Sequence, residues 1–187
     1  MRVPIAGRSE GQSIAINPMT NKIYVGSYAQ SKRITVADGL TNQTRAIQTA
    51  GYVFGLDVNP VTNKIYVANA YVGKVTVIDG SSDRVTTLSV GRFPTSLAVN
   101  PVTNKVYVAS SEPCGGIAVI DGKTEEVTKI KTGAELTTVA LNTATNQIYA
   151  YEPESVTIID GATNKTTNIL LPIQPKMPRY GDNSACR

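Results

Sequence analysis

A nine-residue segment recurs four times along this chain of 187 residues. The first copy reads Asn-Pro-Met-Thr-Asn-Lys-Ile-Tyr-Val from Asn17, and the others begin at Asn59, Asn100 and, in a weaker form, Asn142. The starting asparagines are 42, 41 and 42 residues apart. A fixed period of this size is typical of solenoids and propellers, in which each repeat is one supersecondary unit that packs on its neighbours. The chain is therefore predicted to be an array of repeats.

Each copy contains four short apolar stretches separated by turn sequences. In the third copy they begin at Ser96, Lys105, Ile117 and Val127, and they are rich in Val, Ile, Tyr and Thr. Such stretches are too short and too β-branched for helices, so we predict strands, labelled a to d. Asn-Pro-x-Thr-Asn-Lys between a and b, and Asp-Gly between c and d, are tight-turn sequences. Four-stranded antiparallel units at this period predict the blades of an all-β propeller.

The pattern predicts about four blades within residues 1–171, as copies at 11–50, 53–90, 95–132 and 136–171. An extra outer strand is predicted at 2–6, and the proline-rich stretch 172–187 is predicted to be a tail. The extra strand is one more than four closed blades require. We therefore expect an open arc, or partial propeller, rather than a closed four-bladed ring. Self-association through the blade edges is a further expectation, because unpaired strand edges invite pairing.

Several motifs recur together and point to one family. Thr-Asn-Lys, Tyr-Val followed by Ala-Asn or Ala-Ser, and Val-Ile-Asp-Gly return at the same period over residues 2–171. This combination resembles the YVTN β-propeller repeat family, with departures at Val36-Ala37-Asp38-Gly39 and Tyr149-Ala150-Tyr151-Glu152. The resemblance implies a surface-layer, periplasmic or secreted interaction module. The chain shows neither the apolar segment of a signal peptide nor a run long enough to span a membrane, so neither is expected.

Histidine is absent from the chain. Its absence excludes Ser-His-Asp triads, Cys-His pairs, histidine haem ligation and nearly every catalytic zinc arrangement. Cys114 and Cys186 lack metal or redox spacing, which leaves two free thiols or one disulfide open. We predict no cofactor and do not expect an enzyme. A metal- or quinone-dependent propeller enzyme, such as a lactonase-like hydrolase, is the alternative.

The copies differ mainly in their b to c and d to a loops, which share one face of a propeller. Six of the eleven Tyr and Phe residues are assigned to these loops, and charged residues accompany them. Aromatic rings on loops over a rigid scaffold are typical of recognition surfaces, so we expect this face to bind a protein or glycan. Rings that only plug the channel mouth are the alternative. The candidate ligand-binding residues are Arg8, Tyr28, Tyr52, Phe54, Tyr71, Arg92, Phe93, Glu112, Glu135, Tyr151 and Glu152.

Charge adds a further functional alternative. The net charge is +4, and residues 1–94 hold ten basic against five acidic side chains. Basic and aromatic side chains together bind single-stranded nucleic acid through phosphate contacts and base stacking, so that partner is a second hypothesis.

Two inner positions carry structural expectations. Tyr24, Tyr66, Tyr107 and Tyr149 share one position of strand b and are predicted to pack between blades, with the hydroxyl reaching the edge. Asp57 stands where the other copies have alanine. A buried carboxylate needs donors or a cation, so we predict either neighbouring N–H groups or an oxygen-ligated cation completed by Glu112 or Glu135.

Overall fold

The computed structural model describes residues 11–27, 32–112, 115–133 and 135–172. Within these ranges sixteen strands form four antiparallel four-stranded sheets, with one 3-10 turn at Ala70–Val72 and no α-helix. Each sheet is one predicted blade, and its strands pair in chain order, so the predicted architecture is confirmed. The predicted strand at 2–6 and residues 173–187 lie outside these ranges.

The strands of the four blades have the following bounds. Blade 1 comprises β1 (Gly11–Asn17), β2 (Lys22–Ser27), β3 (Arg33–Asp38) and β4 (Thr44–Gln48). Blade 2 comprises β5 (Val53–Asn59), β6 (Lys64–Asn69), β7 (Lys74–Asp79) and β8 (Val85–Ser89). Blade 3 comprises β9 (Pro94–Asn100), β10 (Lys105–Ser110), β11 (Gly116–Asp121) and β12 (Val127–Lys131). Blade 4 comprises β13 (Thr138–Asn142), β14 (Gln147–Tyr151), β15 (Ser155–Asp160) and β16 (Thr166–Leu170). None of the helical structure in the described ranges has the length and apolar character of a membrane span.

The two repeated turns of each blade are bonded to each other. In blade 2, Asn63 takes a left-handed backbone with φ of 52°, which asparagine tolerates, and its carbonyl accepts the Gly80 N–H at 2.8 Å. Asp79, just before that glycine, accepts bonds from the Ser81 hydroxyl and from the Ser81 and Ser82 N–H groups. These donors lower the pKa of Asp79 to about 2. The pKa values of the equivalent Asp38, Asp121 and Asp160 are lowered by the same kind of backbone donors.

The hydrophobic core lies between blades rather than inside them. We call the surface that a blade turns to the preceding blade its leading face, and the surface turned to the next blade its trailing face. On the trailing face of blade 1, Tyr24 and Ile34 pack against Leu56, Val58 and other residues of the leading face of blade 2. The next two interfaces repeat this arrangement around Tyr66 and Tyr107.

The repeated tyrosines pack between blades as predicted, but their hydroxyls do not reach the edge. Tyr24, Tyr66 and Tyr107 are at most 1% exposed. Their hydroxyl oxygens are buried and have no hydrogen-bond partner within the part of the chain described here. Burial raises the pKa of Tyr66 to about 12. Tyr149 belongs to blade 4, the last blade of the described ranges; it is half-buried and donates to Gln147 Oε1 at 2.8 Å.

The Asn-Pro-x-Thr-Asn-Lys motif also bonds neighbouring blades, a role that its turn chemistry does not reveal. Asn59 is fully buried, and its Nδ2 donates to Asn104 Oδ1 in the next blade at 2.9 Å. Its Oδ1 meanwhile accepts the Val61 and Thr62 N–H groups of its own turn. The motif lysine Lys64 donates to the carbonyl of Gly122 in blade 3 at 3.0 Å. The equivalent bonds are Asn17 to Asn63 at 2.8 Å, Asn100 to Asn146 at 2.9 Å and Lys22 to Gly80 at 3.1 Å.

The four sheets form an open arc and do not close into a ring, as predicted. The inner strands contact one another in the order β1, β5, β9 and β13. On the leading face of blade 1, Ile14 and Ile16 are 66% and 58% exposed, whereas the equivalent Leu56 and Val58 are each 6% exposed. The apolar side chains that pack against a preceding blade in blades 2 and 3 are therefore exposed on blade 1.

Candidate functional site

Four of the predicted rings lie together where blades 2 and 3 meet; three are on loops, whereas Phe54, predicted to be on a loop, lies at the start of strand β5. The Tyr71 ring lies at the centre, with its centroid 5.9 Å from that of Tyr52, 5.7 Å from that of Phe54 and 5.9 Å from that of Phe93. All three pairs meet edge to face, the arrangement that the charge distribution of aromatic rings favours. We call Tyr52, Phe54, Tyr71 and Phe93 the aromatic cluster.

Two predicted charged residues flank the aromatic cluster. The Arg92 guanidinium carbon lies 5.7 Å from the centre of the Phe93 ring, within the range of a cation–π contact. A guanidinium nitrogen of Arg92 lies 3.8 Å from a carboxylate oxygen of Glu112. Six of the predicted residues therefore form one continuous site on the variable face.

The aromatic cluster presents one ring to solvent and supports it with three others. Tyr71 is 57% exposed, and its neighbour Val72 is also exposed. Tyr52, Phe54 and Phe93 are half-buried. An exposed aromatic group backed by packed rings offers a ligand apolar contact area at little cost in side-chain entropy.

A buried polar pair positions the loop that carries Tyr52. The Asn69 amide donates to the carbonyl of Gly51 at 3.0 Å, and the Thr76 hydroxyl donates to Asn69 Oδ1 at 2.6 Å. The Thr76 oxygen in turn accepts the Ala50 N–H at 3.0 Å. A Cβ atom added to Gly51 would lie 3.0 Å from a methyl group of Val72, so this close approach favours glycine. Side chains of strands β6 and β7 therefore hold this loop in place.

Tyr71 lies on the 3-10 turn Ala70–Val72, which ends at a left-handed glycine. Gly73 has φ of 63°, and its N–H donates to the Ala70 carbonyl at 3.3 Å. A Cβ atom at this position would lie 2.8 Å from the carbonyl oxygen of Gly91. Both the backbone conformation and the space therefore require glycine beside the exposed ring.

Phe93 occupies a backbone conformation that bulky residues seldom adopt. Its φ is 47°, in the left-handed region, which is strained for a side chain of this size. Two bonds to the end of strand β10 hold the loop in place. The Ser110 hydroxyl donates to the Arg92 carbonyl at 2.5 Å, and the Ser111 N–H donates to the Phe93 carbonyl at 3.1 Å. Such strain is common at binding sites, where the surrounding structure over-determines the backbone.

The residue five positions after the motif lysine holds a loop in place, a role that was not predicted from the sequence. Asn69 and Ser110 occupy this position in blades 2 and 3, and both bind a d to a loop. In blade 4 the position is Glu152, after Gln147 in place of lysine. A polar residue at this fixed distance from the motif could have predicted the role from the sequence.

Glu152 is placed differently from the surface position predicted for it. Its side chain is buried, and its carboxylate oxygens lie 2.7 Å from the Ser155 and Thr157 hydroxyls, which donate to it. These bonds satisfy the carboxylate beneath the loop instead of presenting it on the variable face. Glu135 and Tyr151 also belong to blade 4 and are exposed. Arg8, Tyr28, Cys114 and Cys186 lie outside the described residues.

Asp57 accepts backbone N–H groups, as one of its two predicted roles requires. Oδ2 accepts from Val99 of blade 3 at 2.9 Å, and Oδ1 accepts from Val58 at 2.8 Å. Burial raises the pKa of Asp57, and the two N–H donors partly oppose that rise. In the ranges with described structure, no group of three or more His, Cys, Asp or Glu is placed to hold a metal ion around it.

A missing hydroxyl explains why only blade 2 carries this aspartate. In the first interface Ser13 accepts the Leu56 N–H at 2.9 Å, and in the third Ser96 accepts the Val139 N–H at 3.3 Å. The equivalent residue of blade 2 is Gly55, whose added Cβ would lie 3.1 Å from the Thr95 carbonyl oxygen. Asp57, two residues further along, supplies the inter-blade acceptor that glycine lacks.

No family model matches the sequence, and no curated protein does either. Solved structures are similar to it. A chain of hydrazine synthase from Kuenenia stuttgartiensis has a TM-score of 0.78 at 21% identity, over 86% of this chain and 49% of that one. A chain of a nidogen/laminin complex has a TM-score of 0.73 at 10% identity, over 86% of this chain and 64% of that one.

The fold is that of a β-propeller. At these identities the likeness shows the fold alone and carries no activity across. The described propeller blades correspond to about half of the hydrazine synthase chain and to under two thirds of the nidogen/laminin chain.

Proposed function

We propose that this chain is a non-enzymatic propeller module that binds a protein or a glycan through the aromatic cluster on its variable face. The observation that carries the proposal is the exposed Tyr71 ring supported by three other rings. Motifs that resemble those of the YVTN family support an interaction module at the cell surface, in the periplasm or outside the cell. The propeller fold supports a scaffold that presents loops.

The chemistry of the cluster suits a ligand with both apolar and polar groups. The Tyr71 ring can stack on the C–H face of a sugar or on an aliphatic or aromatic side chain. Arg92, whose side chain is 76% exposed, supplies hydrogen-bond donors, and Glu112 supplies acceptors. Tyrosine and arginine are also enriched among the residues that dominate binding energy at interfaces.

A pair of matched variants tests this proposal. Tyr71→Ala removes the exposed ring, and Leu40→Ala removes a more exposed apolar side chain from a turn on the opposite face, where Leu40 is 83% exposed. Ligands are selected with the unmodified protein from an oligosaccharide array and from a displayed peptide library. We expect Tyr71→Ala to lower the affinity for a selected ligand by about tenfold or more, while Leu40→Ala leaves that affinity unchanged. Equal binding by both variants, or no ligand from either source, would contradict the proposal.

Single-stranded nucleic acid is the second candidate partner. The contact of Arg92 with the Phe93 ring favours it, because an arginine beside an aromatic ring can contact phosphate while the ring stacks on a base. Titration of an oligothymidylate at several salt concentrations distinguishes this partner. Binding that weakens steeply with salt and is lost in Arg92→Ala would support it, and the absence of binding at low salt would exclude it.

A further inference from the structure

The two end faces of the arc carry opposite halves of one blade–blade interface. The leading face of blade 1 exposes Ile14 and Ile16, whose equivalents in blades 2 and 3 are buried against a preceding blade. The trailing face of blade 4 holds half-buried Val156 and Ile158 and exposed Tyr151. Their equivalents in blade 2 are Val75, Val77 and Ala68, which are buried in the core that blade 2 forms with blade 3.

The polar groups of the two end faces are complementary as well. At each internal interface, the first motif asparagine donates to the second motif asparagine of the next blade. Asn142 of blade 4 is a first asparagine, and within the described ranges its amide has no inter-blade acceptor. Asn21 of blade 1 is a second asparagine, and within the same ranges its side-chain oxygen has no inter-blade donor. Both are exposed.

This complementarity identifies the surface that fits each end. An unrelated apolar partner would cover Ile14 and Ile16 but would leave the Asn21 acceptor without its donor. The trailing face of blade 4 offers an apolar surface and the Asn142 donor together, in the geometry already used three times within the chain. Pairing of another strand with the edge of β16 would cover neither face. Strand pairing extends a sheet in its own plane, whereas both end faces are the flat surfaces of sheets.

We propose that two copies of this chain associate through these faces, with blade 4 of each packing on blade 1 of the other. The two contacts are then identical, and a two-fold axis relates them, which closes a ring of eight blades. Eight is within the range of blade numbers that propellers adopt. The self-association predicted from the sequence is thereby assigned to blade faces instead of strand edges.

The first measurement is the mass of the unmodified 187-residue protein in solution, by light scattering and sedimentation equilibrium at micromolar concentrations. We expect twice the 19.9 kDa of one chain. A monomer would overturn the proposal, because it would show that the end faces do not hold a second copy. A series of larger species would overturn it too, since successive head-to-tail contacts would then fail to close.

The second measurement separates head-to-tail contact from contact of like faces. Ile14→Lys with Ile16→Lys blocks the leading face. Ala140→Lys with Tyr151→Lys blocks the trailing face, because Ala140 is the blade 4 equivalent of Ala98, which is buried between blades 3 and 4. All four positions are exposed, so both variants are expected to fold, which circular dichroism checks. Each variant alone should be a monomer. An equimolar mixture should form a one-to-one dimer, because one intact face of each kind remains. Dimers of either variant alone, or a monomeric mixture, would overturn the proposal.

Discussion

The bond between motif asparagines makes a quantitative prediction, because the chain offers the same motif with and without it. Asn59 and Asn142 both accept two N–H groups of their own turns, at 3.0 and 3.2 Å for Asn59 and at 3.0 and 3.3 Å for Asn142. Only Asn59 is buried and donates to the following blade. Alanine at either position therefore removes the same turn bonds, but only Asn59→Ala removes an inter-blade bond.

The expected losses of stability differ by the value of that bond and its burial. A hydrogen bond contributes about 1 kcal/mol net, and exposed turn bonds less, since water replaces them. We expect Asn59→Ala to lower the free energy of unfolding by about 2–3 kcal/mol and Asn142→Ala by about 0.5–1 kcal/mol. Asn104→Gly keeps the left-handed backbone of the acceptor residue, whose φ is 53°. A double-mutant cycle of Asn59→Ala with Asn104→Gly should give a coupling energy of about 1 kcal/mol.

Urea unfolding followed by circular dichroism measures these values, because the chain has no tryptophan. The variants are made in the Ile14→Lys, Ile16→Lys background, so that Asn142 does not gain a partner from a second copy. The denaturant dependence m should stay constant, which shows that the same structure unfolds in every variant. Equal losses for Asn59→Ala and Asn142→Ala, or a coupling energy near zero, would refute the inter-blade role.

Three further predictions concern single groups. Burial raises the pKa of folded Asp57 above its ordinary value of 3.8, so the contribution of this group to stability falls as the pH rises above 3.8. Asp57→Asn should remove this fall in melting curves recorded at several pH values, and an unchanged pH profile would contradict the prediction. The pKa of folded Asp79 is lowered to about 2, so the stability that this group contributes above pH 3.8 is lost as the pH falls towards 2. Asp79→Asn, which keeps the accepting oxygen, should reduce this loss of stability in acid, and the same pH dependence of melting in both proteins would count against the prediction. Tyr66→Phe should leave stability equal or higher because no protein group in the described ranges bonds its hydroxyl, whereas Tyr149→Phe should lose the bond to Gln147, and urea midpoints decide between them.

The fold was predictable because its determinants are local. The 42-residue spacing of Asn17 and Asn59, the β-branched strands and the Asp-Gly turns each act within one blade, where sequence order sets spatial order. The second role of Asn59 was not predictable in the same way. Turn chemistry already accounts for an asparagine before proline, and the contact with Asn104 depends on how two blades pack.

The candidate site was predictable in part for the same reason. Tyr52, Phe54, Tyr71 and Phe93 meet because adjacent blades place equivalent loops side by side on one face, which the repeat alone implies. Glu152 was misplaced because the residue closing strand b points under the loop, as Asn69 does, although it is only one position from the exposed Tyr151. Sequence spacing assigns a residue to a loop region, but the direction of its side chain follows from the pleat.

Repetition and variation in this chain follow from which side chains meet the next blade. The motif residues Asn59 and Lys64 bond blade 3, and Tyr66 packs against it, so each copy needs them to hold the next copy. The loop residue Tyr71 meets other loops and solvent, so its identity can change without separating the blades. The same reasoning explains Asp57, which departs from the repeat only because Gly55 does. A residue that differs between copies is therefore compared first with its inter-blade contacts: the bond from Val99 accounts for Asp57, whereas Tyr71, which meets Phe93 of the neighbouring loop, also presents an exposed ring.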